Sequence, residues 1–132
     1  MPTFKVTLKT VNGVNCLDVD DANNANHIPQ NSQAQMLTWQ LEGNAAAGSF
    51  CAVDGTPPGF AWVTNPPPSP TIFSSPSRSP NGNTLTISDL NNSSSTQGTW
   101  KYKVCATIGG TTYCTQATSL AATTDNPTIK NN

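Results

Sequence analysis

The sequence carries little charge: 10% of its 132 residues are Asp, Glu, Lys or Arg, and the formal net charge is −1. Surfaces that bind nucleic acid or anionic membranes need a concentration of Lys and Arg, so the composition argues against both partners. The chain also lacks any apolar run near the ~18 residues that a membrane-spanning helix needs. Its length is sufficient for one domain with its own hydrophobic core.

A helical period of apolar residues is missing too, and short alternating segments separated by turn residues occupy most of the chain. Residues 3–9 alternate apolar and polar side chains and lead into Asn12-Gly13, which is typical of a two-residue hairpin turn. The register of that hairpin pairs Leu8 with Leu17. Other strands are predicted at 36–42, 49–53, 60–64 and 83–90, with a surface loop at 20–35 and a Pro-rich edge segment at 65–80.

The strongest hairpin signal lies at residues 98–118, where two alternating strands flank Gly109-Gly110. A two-residue turn there places Cys105 opposite Cys114 in a non-hydrogen-bonded pair, with Cα atoms about 4.5 Å apart. This separation is at the short end of the range that a disulfide spans. We therefore predict a disulfide between Cys105 and Cys114.

Cys16 and Cys51 remain for a second disulfide, which we also predict, although four cysteines allow three connectivities. An even number of cysteines favours an oxidising, extracytoplasmic compartment. The start of the sequence lacks the features of a signal peptide, which indicates either an intracellular protein or one whose leader has been removed. We favour the secreted or periplasmic alternative.

Residues 85–104, with the sequence LTISDLNNSSSTQGTWKYKV, resemble the E strand, corner and F strand of immunoglobulin-like and fibronectin-like domains. By that resemblance Trp100 takes the place of the corner tyrosine and Tyr102 that of a core cysteine. Cys105 then lies on the opposite face, so its disulfide would staple the surface of one sheet. The end of the chain also looks faintly like that of small bacterial single-domain proteins of unknown function.

The fold expected from this resemblance is all-β: an antiparallel, immunoglobulin-like, two-sheet β-sandwich. Residues 1–132 form a single domain in this interpretation, with a loosely ordered tail from about residue 121. Sandwiches of this type carry many unrelated functions, so the resemblance implies no activity.

The sequence contains few side chains suited to catalysis: one His, seven carboxylates and four Cys. His27 lies in an Asn-rich loop and is interpreted as a solvated residue, unless the fold places it beside Cys16 or Cys51 as a base. The cysteine spacings do not fit a zinc site, and a single His cannot build a blue-copper site. We therefore predict a protein that is not an enzyme and uses no cofactor.

An acidic segment offers the one candidate for a metal. Asp18, Asp20 and Asp21, followed by the Asn side chains up to Asn26, supply the oxygen ligands that calcium prefers. The spacing is not that of an EF-hand, and we favour a strand end followed by a polar loop. In that interpretation Asp20 faces Lys5 across the first hairpin.

The sequence leaves two functions open, and the exposure of three tryptophans, Trp39, Trp62 and Trp100, distinguishes between them. Their positions within alternating segments favour core packing over an exposed platform. We predict a non-enzymatic interaction or structural module with an unknown protein or glycan partner. The alternative is a carbohydrate-binding module, which needs an exposed tryptophan beside Asn, Gln or Asp.

Overall fold

The computed structural model describes residues 2–116 and 126–132. These residues form an all-β fold of two sheets, as predicted, with short 3₁₀ turns in place of longer helices. The strands are β1 (Thr3–Val11), β2 (Val14–Val19), β3 (His27–Ile28), β4 (Gln35–Leu41), β5 (Ser49–Phe50), β6 (Phe60–Trp62), β7 (Ser77–Arg78), β8 (Thr84–Asp89), β9 (Gly98–Ile108), β10 (Thr111–Cys114) and β11 (Thr128–Asn131).

The first sheet has the strand order β2-β1-β4-β8-β7. The β1–β2 hairpin has the predicted register, with Leu8 opposite Leu17. β1 and β4 run parallel, with Thr3 opposite Thr38, so the expectation of purely antiparallel sheets is wrong. Because β2 runs antiparallel to β1, the chain leaves β2 at the end of the sheet where β1 begins. β4 starts from that same end and therefore runs in the same direction as β1.

The second sheet is built around the long strand β9, which has β5 and β6 along one side and β10 and β11 along the other. The β9–β10 hairpin has the predicted register, with Cys105 opposite Cys114. β3 adds beyond β11 as a second parallel pair, with Lys130 opposite His27. Both sheets are therefore mixed.

Two segments that the sequence placed outside the sheets contribute to the second one. The predicted surface loop at 20–35 contains β3, whose Ile28 is fully buried. In the predicted tail, residues 121–125 lie outside the described residues, whereas β11 lies between β9 and β3 with Ile129 fully buried.

The hydrophobic core lies between the sheets and is centred on Trp39, which has no exposed surface. Its indole contacts the rings of Phe4, Phe60 and Tyr102, with centroids 5.2–5.3 Å apart. The alternation of the sequence explains this arrangement, because every second residue of a strand points to the same face. The inward-facing residues of β4 and β8 predicted to be apolar, Leu37, Trp39, Leu41, Leu85 and Ile87, are all buried.

The cysteines confirm one predicted disulfide and refute the other. Cys105 and Cys114 are bonded, with their Cα atoms 4.1 Å apart. Cys16 and Cys51 are free: Cys16 lies on β2, which contacts β10, whereas Cys51 follows β5 on the opposite side of β9 from β10. The predicted surface position of the disulfide is also wrong at one end, since Cys105 is fully buried.

The chain between β5 and β6 runs alongside β9 and is hydrogen-bonded to it at Cys105. Cys51 donates its main-chain N–H to the carbonyl oxygen of Cys105, and Cys105 donates in turn to Gly59. Gly59 is required for this approach, because a Cβ atom at that position would overlap the carbonyl oxygen of Cys51. The alternation of β9 alone could not reveal these neighbours.

Candidate functional site

A cleft of about 340 Å³ opens at the side of the sandwich, between the second sheet and β2, which is the edge strand of the first sheet in the described part of the chain. We call it the seam cleft. Its charged and amide groups are Lys9, Asp18, Asp21 and Asn126, and apolar side chains such as Val19 form its floor. Clefts of this size fall within the range of ligand-binding sites, and mixed charge favours polar recognition over a purely apolar ligand.

Each sheet contributes one side of the seam cleft. Lys9 and Asp18 project from β1 and β2, whereas Thr115 and Asn126 come from the chain that follows β10 and precedes β11. Thr115 donates its hydroxyl to the side-chain oxygen of Asn126 at 2.8 Å, and its main-chain N–H bonds to Val104 on β9. The second-sheet side of the cleft is therefore held by hydrogen bonds.

The outer edge of β2, on the side away from β1, borders this cleft. In an antiparallel pair the main-chain groups of alternate residues point away from the partner strand. The Val11–Val14 pair flanks the two-residue turn, so the outward groups of β2 belong to Asn15, Leu17 and Val19. Leu17 and Val19 also line the cleft, which combines main-chain donors and acceptors with charged side chains.

The three acidic residues of the candidate calcium segment, which we interpreted as a strand end and polar loop, are all exposed. Asp20 Oδ1 accepts the main-chain N–H of Ala22 at 3.2 Å, and the main-chain N–H of Asp20 bonds to Lys5. Among the described residues, no three His, Cys, Asp or Glu side chains are grouped so that they could hold a metal ion. Asp18 and Asp21 meet instead at the seam cleft.

His27 and the free cysteines belong to different parts of the molecule. His27 is on β3, beyond β11 in the second sheet, whereas Cys16 is buried on β2 at the edge of the first. Cys51 lies beside β9, and its sulfur is 3.9 Å from the hydroxyl of Thr107. The strand order therefore gives no support to a Cys–His pair.

The tryptophans divide into one buried and two half-buried side chains. Trp39 is enclosed and donates its indole N–H to the hydroxyl oxygen of Tyr102 at 2.9 Å. Trp62 and Trp100 are partly exposed, and both pack against Phe73, with ring centroids 4.8 and 5.2 Å from it. Phe73 belongs to the Pro-rich segment, which therefore supplies a buried ring that contacts both tryptophans.

Burial raises the pKa of Tyr102 well above its usual range. The hydrogen bond from Trp39 opposes this rise, and the negative charge of Asp21 adds to it. Perturbed pKa values often mark catalytic groups. Here the perturbed hydroxyl is enclosed by aromatic rings and serves as the acceptor for a buried indole.

A second perturbed group lies in a cluster of buried polar side chains at one end of the sandwich, which we call the end cluster. Burial raises the pKa of Asp89 to about 6, while a hydrogen bond from Asn131 opposes the rise. Asn91 donates its side-chain N–H groups to the main-chain oxygens of Ile28 and Asn132, at 2.8 and 3.1 Å. Thr96 donates its hydroxyl to the side-chain oxygen of Asn91 at 2.9 Å.

The end cluster was not among the predicted sites, although the alternation of β8 and β11 in the sequence contained a signal for it. Asp89 shares the inward parity of Leu85 and Ile87 on β8, and Asn131 shares that of Ile129 on β11. A polar residue at an inward position predicts a buried partner, because an unpaired polar group in the interior is costly.

Comparisons with known proteins leave the chain without an assigned relative. No protein-family model matches the sequence, and no curated protein matches it. Within residues 2–116 and 126–132 there is also no helix with the length and hydrophobicity of a membrane span. Functional inference therefore depends on the geometry of the sheets, the seam cleft and the buried clusters.

Proposed function

We propose that this protein is a non-enzymatic, immunoglobulin-like interaction module that binds a polypeptide partner at the seam cleft. The observation that carries the proposal is the composition of that cleft. It presents one cation, two carboxylates and an amide beside the outer main-chain edge of β2, which pairs with no other strand of the described residues. An added strand can bond to such an edge while side chains beside it determine specificity.

The placement of the perturbed groups supports recognition over catalysis. Tyr102 and Asp89 both have raised pKa values, yet each lies between the sheets and bonds to another buried side chain. Neither of them lines the seam cleft. The groups that do line it, including Lys9, Asp18 and Asp21, are the kind that steer and select a charged partner.

The test is site-specific photocrosslinking in cells that make the protein. A photoreactive amino acid is placed at Asp18 or Asp21 in the seam cleft, and the control variant carries it at Ser77. Ser77 lies on β7 at the opposite edge of the same sheet and is also exposed. We expect protein adducts from the cleft positions and none from β7.

The purified partner then gives a second measurement. Replacing Asp18 and Asp21 together by Asn should weaken its binding, since the cleft loses both carboxylates. The same partner should bind a Ser77→Ala control with unchanged affinity. Equal crosslinking at both edges, or unchanged binding by the double variant, would show that the seam cleft is not the recognition site.

A carbohydrate-binding function is the second candidate, and the partial exposure of Trp62 and Trp100 favours it. Aromatic faces suit the apolar faces of sugar rings, provided that the ring face is open. Phe73 packs against Trp62 with a tilt of 52° and against Trp100 edge-on, so part of each indole is already covered.

Tryptophan fluorescence distinguishes the two functions. Under this second proposal, a panel of soluble polysaccharides should protect Trp62 or Trp100 from acrylamide quenching in the wild-type protein. The protection should disappear in the corresponding Trp→Phe variant. Quenching that no polysaccharide changes would remove the carbohydrate function and leave the peptide-binding proposal untouched.

A further inference from the structure

The side chains of Asp89 and Asn131 join the two sheets at the end cluster. Asp89 is on β8 in the first sheet, and Asn131 is on β11 in the second. The Nδ2 group of Asn131 donates one hydrogen to Asp89 Oδ1 and the other to the main-chain oxygen of Thr96, both at 2.9 Å. Asp89 is fully buried, and Asn131 is 2% exposed.

These contacts fix the orientation of the Asn131 amide. Asp89 Oδ1 and the Thr96 carbonyl are both acceptors, so the group that faces them must be the NH₂ and not the oxygen. The amide oxygen is thereby directed elsewhere. It cannot exchange places with Nδ2 without losing both hydrogen bonds.

Two buried oxygens in this pair have no hydrogen-bond partner within the described part of the chain: Oδ2 of Asp89 and Oδ1 of Asn131. An ionised carboxylate would leave both unsatisfied, since each can only accept. Buried polar atoms without partners cost about 1–3 kcal/mol each, and a buried unpaired charge costs more. The two unsatisfied atoms belong to side chains that are already bonded to each other.

We propose that Asp89 is a neutral carboxylic acid in the folded protein and donates its Oδ2–H to Oδ1 of Asn131. One proton then satisfies both unpaired oxygens and gives a cyclic acid–amide pair with two hydrogen bonds. The pair itself then carries no charge. We call it the latch, because it joins β8 to β11 and depends on the proton of Asp89.

Among the described residues, the strands that carry or flank Asn131 place no cation beside Asp89. Their basic side chains are His27 on β3, Lys101 and Lys103 on β9, and Lys130 on β11. All four alternate with the inward residues of their strands and therefore face the outside of the second sheet. The inward-facing Tyr102 on β9 also titrates, but its hydroxyl is bonded to Trp39. Gln35 and Phe73, which pair with Asp89 from β4 and the Pro-rich segment, do not titrate.

The latch makes folding depend on pH in a defined direction. Burial raises the pKa of the Asp89 carboxyl in the folded state to about 6, from the 3.8 that is usual for an exposed Asp. The stabilising proton is fully bound below pH 3.8 and is lost as the pH rises through about 6. A difference of about two pKa units corresponds to a change of roughly 100-fold in the folding equilibrium constant, which is lost over that interval.

The direct test is an NMR titration of the Asp side-chain carboxyl carbons in the wild-type protein. We expect the Asp89 signal to move with a midpoint near pH 6, well above the ~3.9 of an unstructured Asp-containing peptide, which is titrated alongside as the reference. Amide exchange in β11, corrected for intrinsic rates, should accelerate above the Asp89 midpoint. A midpoint for Asp89 at or below that of the reference peptide would overturn the proposal.

A conservative variant checks the latch independently. Asp89→Asn keeps the size and supplies an N–H donor at every pH, so β11 exchange should lose its dependence on pH between 4 and 7. Ser88→Ala, at a neighbouring outward position of β8, should retain the wild-type dependence. If Asp89→Asn responds to pH as the wild type does, the latch is refuted, and the wild-type titration decides the matter should that variant not fold.

Discussion

The hydrogen bond between Trp39 and Tyr102 gives the sharpest test of how the core is held together. Tyr102→Phe removes one hydroxyl and keeps the ring, whose stacking on Phe60 has centroids 5.2 Å apart and planes within 12°. The indole N–H of Trp39 then loses its acceptor in a position that water does not reach. A buried donor left without a partner costs about 1–3 kcal/mol, so we expect a loss of about 2 kcal/mol.

Tyr113→Phe is the matched control, because it removes the same atom from a half-buried tyrosine on β10. Its effect should stay within about 0.5 kcal/mol, as is usual for substitutions near the surface. The measurement is urea unfolding of each variant, with the free energy taken from the midpoint at an unchanged slope.

A double-mutant cycle isolates the interaction from the loss of packing. Trp39→Phe reduces the volume of the core and leaves the Tyr102 hydroxyl without its donor, so it should cost more than Tyr102→Phe. Once both partners are Phe, no polar atom of the pair remains unpaired. The double variant should therefore lose less than the sum of the single losses, with a coupling of about 1 kcal/mol or more. Strict additivity, or equal losses from Tyr102→Phe and Tyr113→Phe, would refute the reasoning.

Three further predictions concern the cysteines and the turn beside them. Replacing Cys105 and Cys114 together by Ala should lower stability by at most about 2.6 kcal/mol, the chain-entropy value for a separation of nine residues, measured by urea unfolding. A thiol reagent should modify two cysteines per unfolded, unreduced chain but only Cys51 rapidly in the folded protein, because Cys16 is buried; four reactive thiols would refute the disulfide. Gly59→Ala should destabilise the protein more than Gly13→Ala, as judged by thermal unfolding, because the methyl group at Gly13 meets no neighbouring atom and adds only the backbone strain of its φ of 80°.

The hairpins were predictable from the sequence because their turns are local. Asn12-Gly13 and Gly109-Gly110 adopt the positive φ angles that a two-residue turn requires, and this fixes the register of the adjoining strands. Each register then follows by counting outward, which is how Cys105 was placed opposite Cys114. The inward residues of β4 and β8 followed in the same way from strict alternation.

The parallel pairs were not predictable, because they join segments that are distant in the chain. β3 has two residues and pairs with β11 about one hundred residues later, so no turn or local alternation indicates the contact. The burial of Cys105 likewise depends on chain from outside the hairpin, with Cys51 and Gly59 bonding to β9. Sequence alternation shows which side chains share a face but does not identify what covers that face.

The end cluster and the central aromatic pair perform the same task at two places in the sandwich. Trp39 bonds to Tyr102, and Asp89 to Asn131, so each contact joins a strand of the first sheet to one of the second. Apolar contacts tolerate sliding, whereas a hydrogen bond with a buried donor is lost when the sheets shift by a residue.

This alignment matters for the proposed function, because the seam cleft is formed by both sheets. Asp18 comes from β2, and Asn126 from the chain leading into β11, so their separation depends on how the sheets are placed. β11 is also the strand that the Asp89–Asn131 hydrogen bond joins to β8. Loss of the proton from Asp89 should therefore alter the second-sheet side of the cleft as well as stability. Partner binding by the wild type should weaken as the pH rises through about 6, and binding by Asp89→Asn should not.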